Sequence, residues 1–201
     1  MQRWDDAIER AIGRHRQRLF RAASIGTLPG ENFVHPTVGA VIALVILRRQ
    51  GGPRRRILIP MASASLGAIV AHHAVKVVYR RRRPEIALRQ GKMEPAFPSG
   101  HTADATAVLA TGAYLLVREG ILSPPVATSL AAALALGTGV SRVALGWHWS
   151  TDVVGGWLAG VAVAAACASR YEWLRAVGAT PAVRPARSRG DLLMVPSPSP
   201  V

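Results

Sequence analysis

The chain has 201 residues, half of them hydrophobic, with a net charge of +14 and a mean hydropathy of +0.22. Its apolar residues are clustered in stretches that approach the roughly 20 residues needed to cross a bilayer, which argues against a soluble helical core. Its arginines fall mostly in short runs between those stretches, as in the loops of membrane proteins, which argues against a nucleic-acid-binding protein.

The N-terminal segment, residues 1–34, predicts an amphipathic helix followed by a linker. Apolar residues within 3–22 recur at helical spacing, and arginines occupy the other face. Such a helix lies at a membrane interface or packs on the protein itself, and the pattern leaves both open. Because the first 21 residues are charged throughout, we expect no cleavable signal peptide. The linker "GTLPGENFVHP" is rich in helix-breaking residues.

Five candidate membrane helices follow, which predicts an all-α, polytopic membrane helix bundle over residues 35–177. The candidate spans are residues 35–49, 57–79, 101–118, 125–146 and 150–170. A polar loop with three prolines separates the second and third spans. Residues 178–201 are rich in Pro, Arg and Ser, which predicts a disordered tail.

Polar residues interrupt the apolar pattern in three places. These islands are "KVVYRRRRP" at 76–84, "PSGH" at 98–101 and "SRVALGWHWSTD" at 141–152. The first two share one loop, and two spans separate the second from the third. All three islands should therefore meet on one membrane face and can form one pocket. Ionisable groups at membrane depth are costly unless they are paired or functional.

The third island contains a histidine and an aspartate that could act together. His148 and Asp152 are four residues apart, so on a helix they share a face and the carboxylate can accept a hydrogen bond from the imidazole. That contact would select the free ring nitrogen and stabilise a positive imidazole. A histidine oriented in this way serves as a nucleophile or a base.

The other polar residues suit a phosphate group. Lys76 and Arg83 are seven apart and would point the same way if the helix persists, and Arg142 adds a third cation. Three like charges in a low-dielectric site need an anion, and a phosphate matches the arginine fork. Ser99 and Gly100 would offer donors at a helix N-terminus. His101 could protonate a leaving oxygen, which completes a set for phosphoester cleavage.

Several neighbouring residues have a simpler interpretation. We interpret Arg80, Arg81 and Arg82 as interfacial anchors rather than ligands, and His72 and His73 as packed polar residues rather than substrate contacts. Trp147 and Trp149 suit the interfacial aromatic belt, although they could also wall the pocket.

A metal site is an alternative for the same region. Its ligands would be Glu94, His101, His148 and Asp152. Three nearby cations would repel a metal ion, so we expect neither a metal nor a cofactor.

The three islands together resemble the type 2 phosphatidic acid phosphatase (PAP2) superfamily. Its pattern is Lys, six residues, Arg-Pro; then Pro-Ser-Gly-His; then Ser-Arg, five residues, His, three residues, Asp. Every position matches between residues 76 and 152. The family core usually has six membrane helices, whereas the hydropathy pattern predicts five and an N-terminal interfacial helix. About five to six spans around a PAP2-like core are therefore expected.

The resemblance implies a role for each matching residue. His148 would attack phosphorus and form a phosphohistidine, Asp152 would orient it, and His101 would protonate the leaving group. The phosphoryl oxygens would be held by Lys76, Arg83, Ser99, Gly100 and Arg142.

The expected function is a metal-independent membrane phosphatase acting on a lipid-linked phosphate. Candidate substrates are a polyprenyl phosphate or pyrophosphate, phosphatidate and phosphatidylglycerol phosphate, with the polyprenyl carrier slightly favoured. The alternatives are a lipid-phosphate binder or transporter without turnover, and a vanadate-dependent haloperoxidase-like enzyme. We expect membrane lipids but no nucleic acid as partners. Basic loop residues are balanced between the two faces, but resemblance to bacterial relatives implies a cell-membrane protein with an extracytoplasmic site.

Overall fold

A computed structural model describes residues 2–50 and 53–179, and within these ranges the chain forms helices and no strand. The helices are α1 (Gln2–Gly13), α2 (Arg16–Gly26), α3 (Val34–Gln50), α4 (Arg54–Tyr79), α5 (Glu85–Arg89), α6 (Gly100–Arg118), α7 (Pro124–Ala144) and α8 (Ser150–Ala179). A 3-10 turn, Leu28–Gly30, joins α2 to α3. The predicted all-α membrane bundle is confirmed.

The five long helices match the five predicted spans closely. Three of them, α4, α7 and α8, are long and apolar enough by themselves to cross a membrane. The helix α8 continues to Ala179, so the predicted tail cannot begin at 178. The rest of that tail, residues 180–201, lies outside the described residues.

The N-terminal segment forms two helices, so the prediction of one continuous helix over 3–22 was wrong. The first ends at Gly13, and the second begins at Arg16 after His15. Glycine at the break has the lowest helix propensity after proline, which favours termination there. Both helices pack on the bundle: α2 lies against α7, and α1 contacts α7 and α8.

Helix α6 is the centre of the bundle. It contacts α3, α4, α7 and α8, and most of its residues are buried. Its neighbour α8 approaches closely because Gly156 and Gly160 lie in the contact. A Cβ at Gly156 would be 2.7 Å from the Ser99 carbonyl oxygen, and one at Gly160 would be 2.5 Å from Thr106 Cβ. Small residues four apart allow this close packing of membrane helices.

The outward faces of the long helices are apolar. Leu66, Leu130 and Leu158 on α4, α7 and α8 are each more than half exposed. Exposed leucines on three helices of one bundle form a surface suited to contact with lipid.

One end of the bundle carries all three polar islands. Helix α4 ends at Tyr79 because Arg80 adopts a left-handed conformation (φ 38°), and the chain then runs extended to Pro84. The loop that follows contains α5 and leads to the N-terminus of α6. The C-terminus of α7 and the N-terminus of α8 lie at the same end, where α1 also packs.

Candidate active site

A cavity of about 540 Å³ opens between the three polar islands. Six of the eight predicted site residues line it: Lys76, Arg83, Gly100, His101, Arg142 and His148. The other two, Ser99 and Asp152, are fully buried beside it. The structure therefore brings the predicted residues together, although the local geometry differs from the prediction in two places.

His148 does not lie on a helix, so the expectation that it shares a helix face with Asp152 was wrong. It lies in the short loop between α7 and α8, where Gly146 adopts a positive φ of 70° and reverses the chain. The Nδ1 atom of His148 is 2.9 Å from the carbonyl oxygen of Ala96, to which it can donate. Its Nε2 atom faces the guanidinium of Arg83 at 3.1 Å. This arrangement leaves an unprotonated Nε2 on the cavity side.

Asp152 lies near the imidazole but is hydrogen-bonded to other groups. Its Oδ2 atom is 3.5 Å from His148 Nδ1 and accepts a hydrogen bond from the backbone N–H of Trp149 at 2.9 Å. Its Oδ1 atom accepts from Arg81 at 2.6 Å. The Ala96 carbonyl thus takes the place of the predicted carboxylate partner of the imidazole, and Asp152 lies next to the ring without a hydrogen bond to it.

The three predicted cations approach the cavity from different elements. Lys76 lies in the last turn of α4, but that helix ends before Arg83, so a persistent helix does not align them. The extended loop positions Arg83 instead, which donates to the carbonyl oxygens of Glu94 at 2.7 Å and Trp147 at 2.9 Å. Arg142 donates to the Thr27 hydroxyl at 2.6 Å and stacks on the ring of Trp147. All three cations are buried.

The "PSGH" island begins helix α6, as the sequence predicted. Ser99 is the N-cap residue, and its Oγ atom accepts a hydrogen bond from the Thr102 hydroxyl at 2.9 Å. The Ser99 hydroxyl proton therefore remains available for another acceptor. His101 Nε2 lies 3.2 Å from a carboxylate oxygen of Glu31, which is also 3.9 Å from Arg142. Sequence reasoning missed Glu31, because nothing in its spacing relates it to the islands.

The electrostatics of the cavity keep His148 neutral. Burial and the cations Arg83, Arg142 and Lys76 hold the pKa of His148 well below its usual value. Burial also lowers the pKa of Arg83, against the attraction of Glu94 and Asp152. The charge of Lys76 lowers the pKa of Glu94, 3.4 Å away. An excess of buried positive charge and an uncharged imidazole are suited to a bound anion.

Among the neighbouring residues, Arg81 is not an interfacial anchor. Its guanidinium bridges two buried carboxylates, those of Asp152 and Asp5, with 2.6 Å to each. Trp149 donates to the carbonyl oxygen of Arg82 at 3.0 Å. His72 and His73 both line the cavity, and His72 is buried whereas His73 is exposed.

The described residues contain no group of three or more His, Cys, Asp or Glu side chains that could hold a metal ion. Glu94 lies beside Lys76, and Asp152 is bonded to Arg81. The four candidate metal ligands therefore do not form a metal-binding cluster.

Asp5 links the N-terminal helix to this network. It accepts hydrogen bonds from the Ser150 hydroxyl at 2.6 Å and from the Thr151 backbone N–H at 3.0 Å, at the N-terminus of α8. Burial alone would raise the pKa of Asp5, but hydrogen bonds from Ser150, Arg81 and Thr151 outweigh it and lower the pKa to about 2. The sequence could not distinguish Asp5 from its neighbour Asp6, since both lie in one amphipathic pattern.

Replacing Asp5 by Asn should slow the phosphate release that the sequence predicts, without weakening binding of the expected lipid phosphate. The substitution leaves Arg81 with one carboxylate partner and loosens its hold on Asp152, so we expect kcat to fall about tenfold, the equivalent of about 1.4 kcal/mol. Steady-state phosphate release by the purified variant would measure this. Asp6→Asn is the matched control and should leave kcat unchanged. An unaltered kcat for Asp5→Asn, or a change confined to KM, would contradict this prediction.

These features define a class of protein: a helical bundle with apolar outer faces that carries, at one end, a cation-lined pocket with the histidines of the second and third polar islands. That class is the integral-membrane phosphatases of lipid phosphates.

Three comparisons with known proteins support this assignment to a class. The model of the PAP2 superfamily matches residues 57–176. Phosphatidylglycerophosphatase B of Bacillus subtilis (strain 168) is 29% identical over 162 residues, which is 78% of each chain. A crystal structure of a transmembrane PAP2-type phosphatidylglycerolphosphate phosphatase from Bacillus subtilis has a TM-score of 0.76 and 27% identity. That match covers 86% of this chain and 87% of the other.

The chain belongs to the PAP2 superfamily. The predicted resemblance is therefore confirmed, and the protein is a membrane lipid phosphatase, a phosphoric monoester hydrolase.

Proposed function

We propose that this phosphatase hydrolyses a lipid-linked phosphate without a metal ion, through a phosphohistidine at His148. The observation that carries the proposal is the geometry of this imidazole. The Ala96 carbonyl accepts from Nδ1, and Nε2 faces the cavity beside Arg83. A phosphoryl group held by Arg83 would therefore lie next to the lone pair of Nε2.

The first step forms a bond between His148 Nε2 and phosphorus and breaks the bond to the leaving oxygen. His101 gives its proton to that oxygen, which departs as an alcohol or a phosphate. The imidazole becomes positively charged, and the carboxylate of Asp152, 3.5 Å from Nδ1, stabilises that charge. Arg81 holds the carboxylate in place.

In the second step water attacks phosphorus, His101 takes a proton from the water, and the bond to Nε2 breaks. Inorganic phosphate leaves, and both histidines return to their initial states. In both steps Lys76, Arg83 and Arg142 neutralise the phosphoryl oxygens, and the Ser99 hydroxyl and the Gly100 N–H add neutral donors at the start of α6.

Phosphatidylglycerol phosphate is the first substrate to test, because the Bacillus relative is a phosphatidylglycerophosphatase. Phosphatidate and polyprenyl phosphates are the other candidates. We place the site on the extracytoplasmic face of a bacterial cell membrane. A cysteine introduced for the exposed Met93 at the cavity rim should react with a membrane-impermeant reagent in intact cells. Failure to react, with reaction after lysis, would place the site inside.

Phosphate release from a panel of these lipids in detergent, with EDTA present, tests the proposed function. We expect at least one lipid to be hydrolysed with EDTA present, because the three cations already supply the charge that a metal would provide. Quenching with alkaline detergent during turnover of a lipid labelled in its phosphate should trap a labelled adduct on the protein that is stable in alkali and lost in acid. Loss of activity in EDTA with recovery in Mg²⁺ would reject the mechanism. Tight binding without release would favour the alternative of a lipid-phosphate binder.

A further inference from the structure

The cavity continues inward from the phosphate site to a second group of polar side chains. These are His35 on α3, His72 on α4 and Asp104 on α6, and all three line the same cavity. Each is at least 96% buried. We refer to this group as the inner cluster. The proposed mechanism uses none of its members.

The inner cluster has unused hydrogen-bonding capacity. His35 Nδ1, His72 Nδ1 and Asp104 Oδ1 are buried and have no hydrogen-bond partner among the described residues. His72 Nε2 lies 3.5 Å from Asp104 Oδ1. Buried polar groups in native proteins are nearly always paired, so three residues with unpaired polar atoms in the wall of one cavity indicate a polar ligand.

The position of the inner cluster relates it to the leaving group. Asp104 is three residues after His101 on α6, so the two side chains share a helix face, and both line the cavity. The His72 ring lies directly under the start of α6, where a Cβ at Gly100 would be 3.0 Å from its Cε1 atom. An alcohol protonated by His101 would therefore contact this cluster as it departs.

The chemistry of the cluster selects a hydroxyl group. The Asp104 carboxylate would repel a second phosphate, but it can accept a hydrogen bond from a hydroxyl. A histidine nitrogen can donate to the same hydroxyl oxygen. One neutral group that both donates and accepts would thus satisfy the cluster. A hydrocarbon placed here would leave the three polar atoms buried without partners.

We infer that the inner cluster is a binding subsite for a hydroxyl of the leaving alcohol, so that the preferred substrate is a phosphomonoester of a polyol headgroup such as glycerol. The inference rests on the proposed function and extends it to the choice of substrate. A polyprenyl phosphate carries only hydrocarbon beside its ester carbon. Phosphatidate carries an acyl ester at the neighbouring carbon. Phosphatidylglycerol phosphate carries a free hydroxyl there.

The test compares two substrates that differ by one hydroxyl: phosphatidylglycerol phosphate and its analogue with a 1,3-propanediol headgroup. For the unmodified protein we expect kcat/KM to be at least about tenfold higher for the hydroxylated lipid, because a site built to bind a hydroxyl discriminates against an analogue that lacks it. This comparison needs no variant, so it stands even if a substitution in the cluster prevents folding.

Substitutions in the inner cluster then test whether it causes the difference in kcat/KM between the two lipids. Asp104→Leu and His35→Phe should lower kcat/KM more for the hydroxylated lipid than for the analogue, so that the ratio falls to within about threefold. Thr111→Val is the matched control, because it removes a buried polar group from α6 outside the cavity. It should leave the ratio unchanged.

The outcomes separate the two proposals. Equal kcat/KM values for the two lipids would overturn the subsite and leave the proposed function standing. An undiminished ratio in both cluster variants would also overturn it. Release of phosphate from neither lipid nor any other in the panel would overturn the proposed function, and the subsite with it.

Discussion

His148→Ala should reduce phosphate release to the background rate while leaving the protein folded in the membrane. The substitution removes Nε2, the nitrogen that faces Arg83 across the cavity. His101 is the other imidazole of the proposed mechanism, but it lies beside Glu31 at the start of α6 and acts on the leaving group. We therefore expect a loss of at least about 10⁴-fold in kcat, since loss of a nucleophile removes the whole covalent route. Single-turnover and steady-state assays with a labelled lipid would measure this.

Anion binding by the variant is the control for this loss, because it shows whether the pocket is still formed. His148→Ala retains Lys76, Arg83 and Arg142, so phosphate or vanadate should still raise the thermal stability of the solubilised variant. His15→Ala removes an imidazole at the N-cap of α2, and we expect normal activity from it. Turnover by His148→Ala at a rate near that of the unmodified protein would disprove the phosphohistidine mechanism. A variant that is inactive and also insensitive to phosphate would indicate that the pocket had collapsed.

The sequence was sufficient to predict the membrane helices because their signal is local. Each span is a run of apolar residues of about the length needed to cross a bilayer. Pro or Gly lies at the ends of several of these runs. The same argument fails at the N-terminus. The spacing in residues 3–22 continues across Gly13 and Arg14, but the helix breaks there, and α1 packs on α7 and α8 while α2 packs on α7.

The candidate site was predictable as a set of residues but not as a geometry. Spacing placed His148 and Asp152 one helical turn apart, yet His148 lies in a loop whose shape depends on Gly146 and on the carbonyl of Ala96. The partner Ala96 is 52 residues away, and a backbone carbonyl carries no signature in the sequence. Lys76 and Arg83 likewise meet through the loop after Tyr79 rather than along α4.

Sequence patterns could not identify the residues that support the site. Asp5 and Arg81 lie in charged stretches that contain similar neighbours, and nothing in the spacing of Glu31 relates it to the polar islands. Only the three-dimensional packing distinguishes Arg81, which joins Asp5 to Asp152, from the exposed Arg82 beside it. Ion pairs between distant segments depend on the fold as a whole.

His101→Gln should lower activity by an amount that depends on the leaving group. The proposed role of His101 is to protonate the leaving oxygen, and such proton transfer contributes about 10²- to 10⁴-fold to a rate. An alkoxide needs that proton, because an alcohol is about as weak an acid as water. A phosphate leaving group has a pKa of about 6 and can depart without it.

Phosphatidate and diacylglycerol pyrophosphate form a matched pair for this test, since they share one lipid and differ in the group expelled. We expect His101→Gln to lower kcat on phosphatidate by at least about 100-fold, and on the pyrophosphate by less than about tenfold. If His101 serves only to hold Glu31, 3.2 Å away, the variant should lose the same factor on both lipids. Equal losses would thus remove His101 from the chemical step. A larger loss on phosphatidate cannot arise from a general disturbance of the pocket, because both substrates place the same kind of phosphoryl group against Lys76, Arg83 and Arg142.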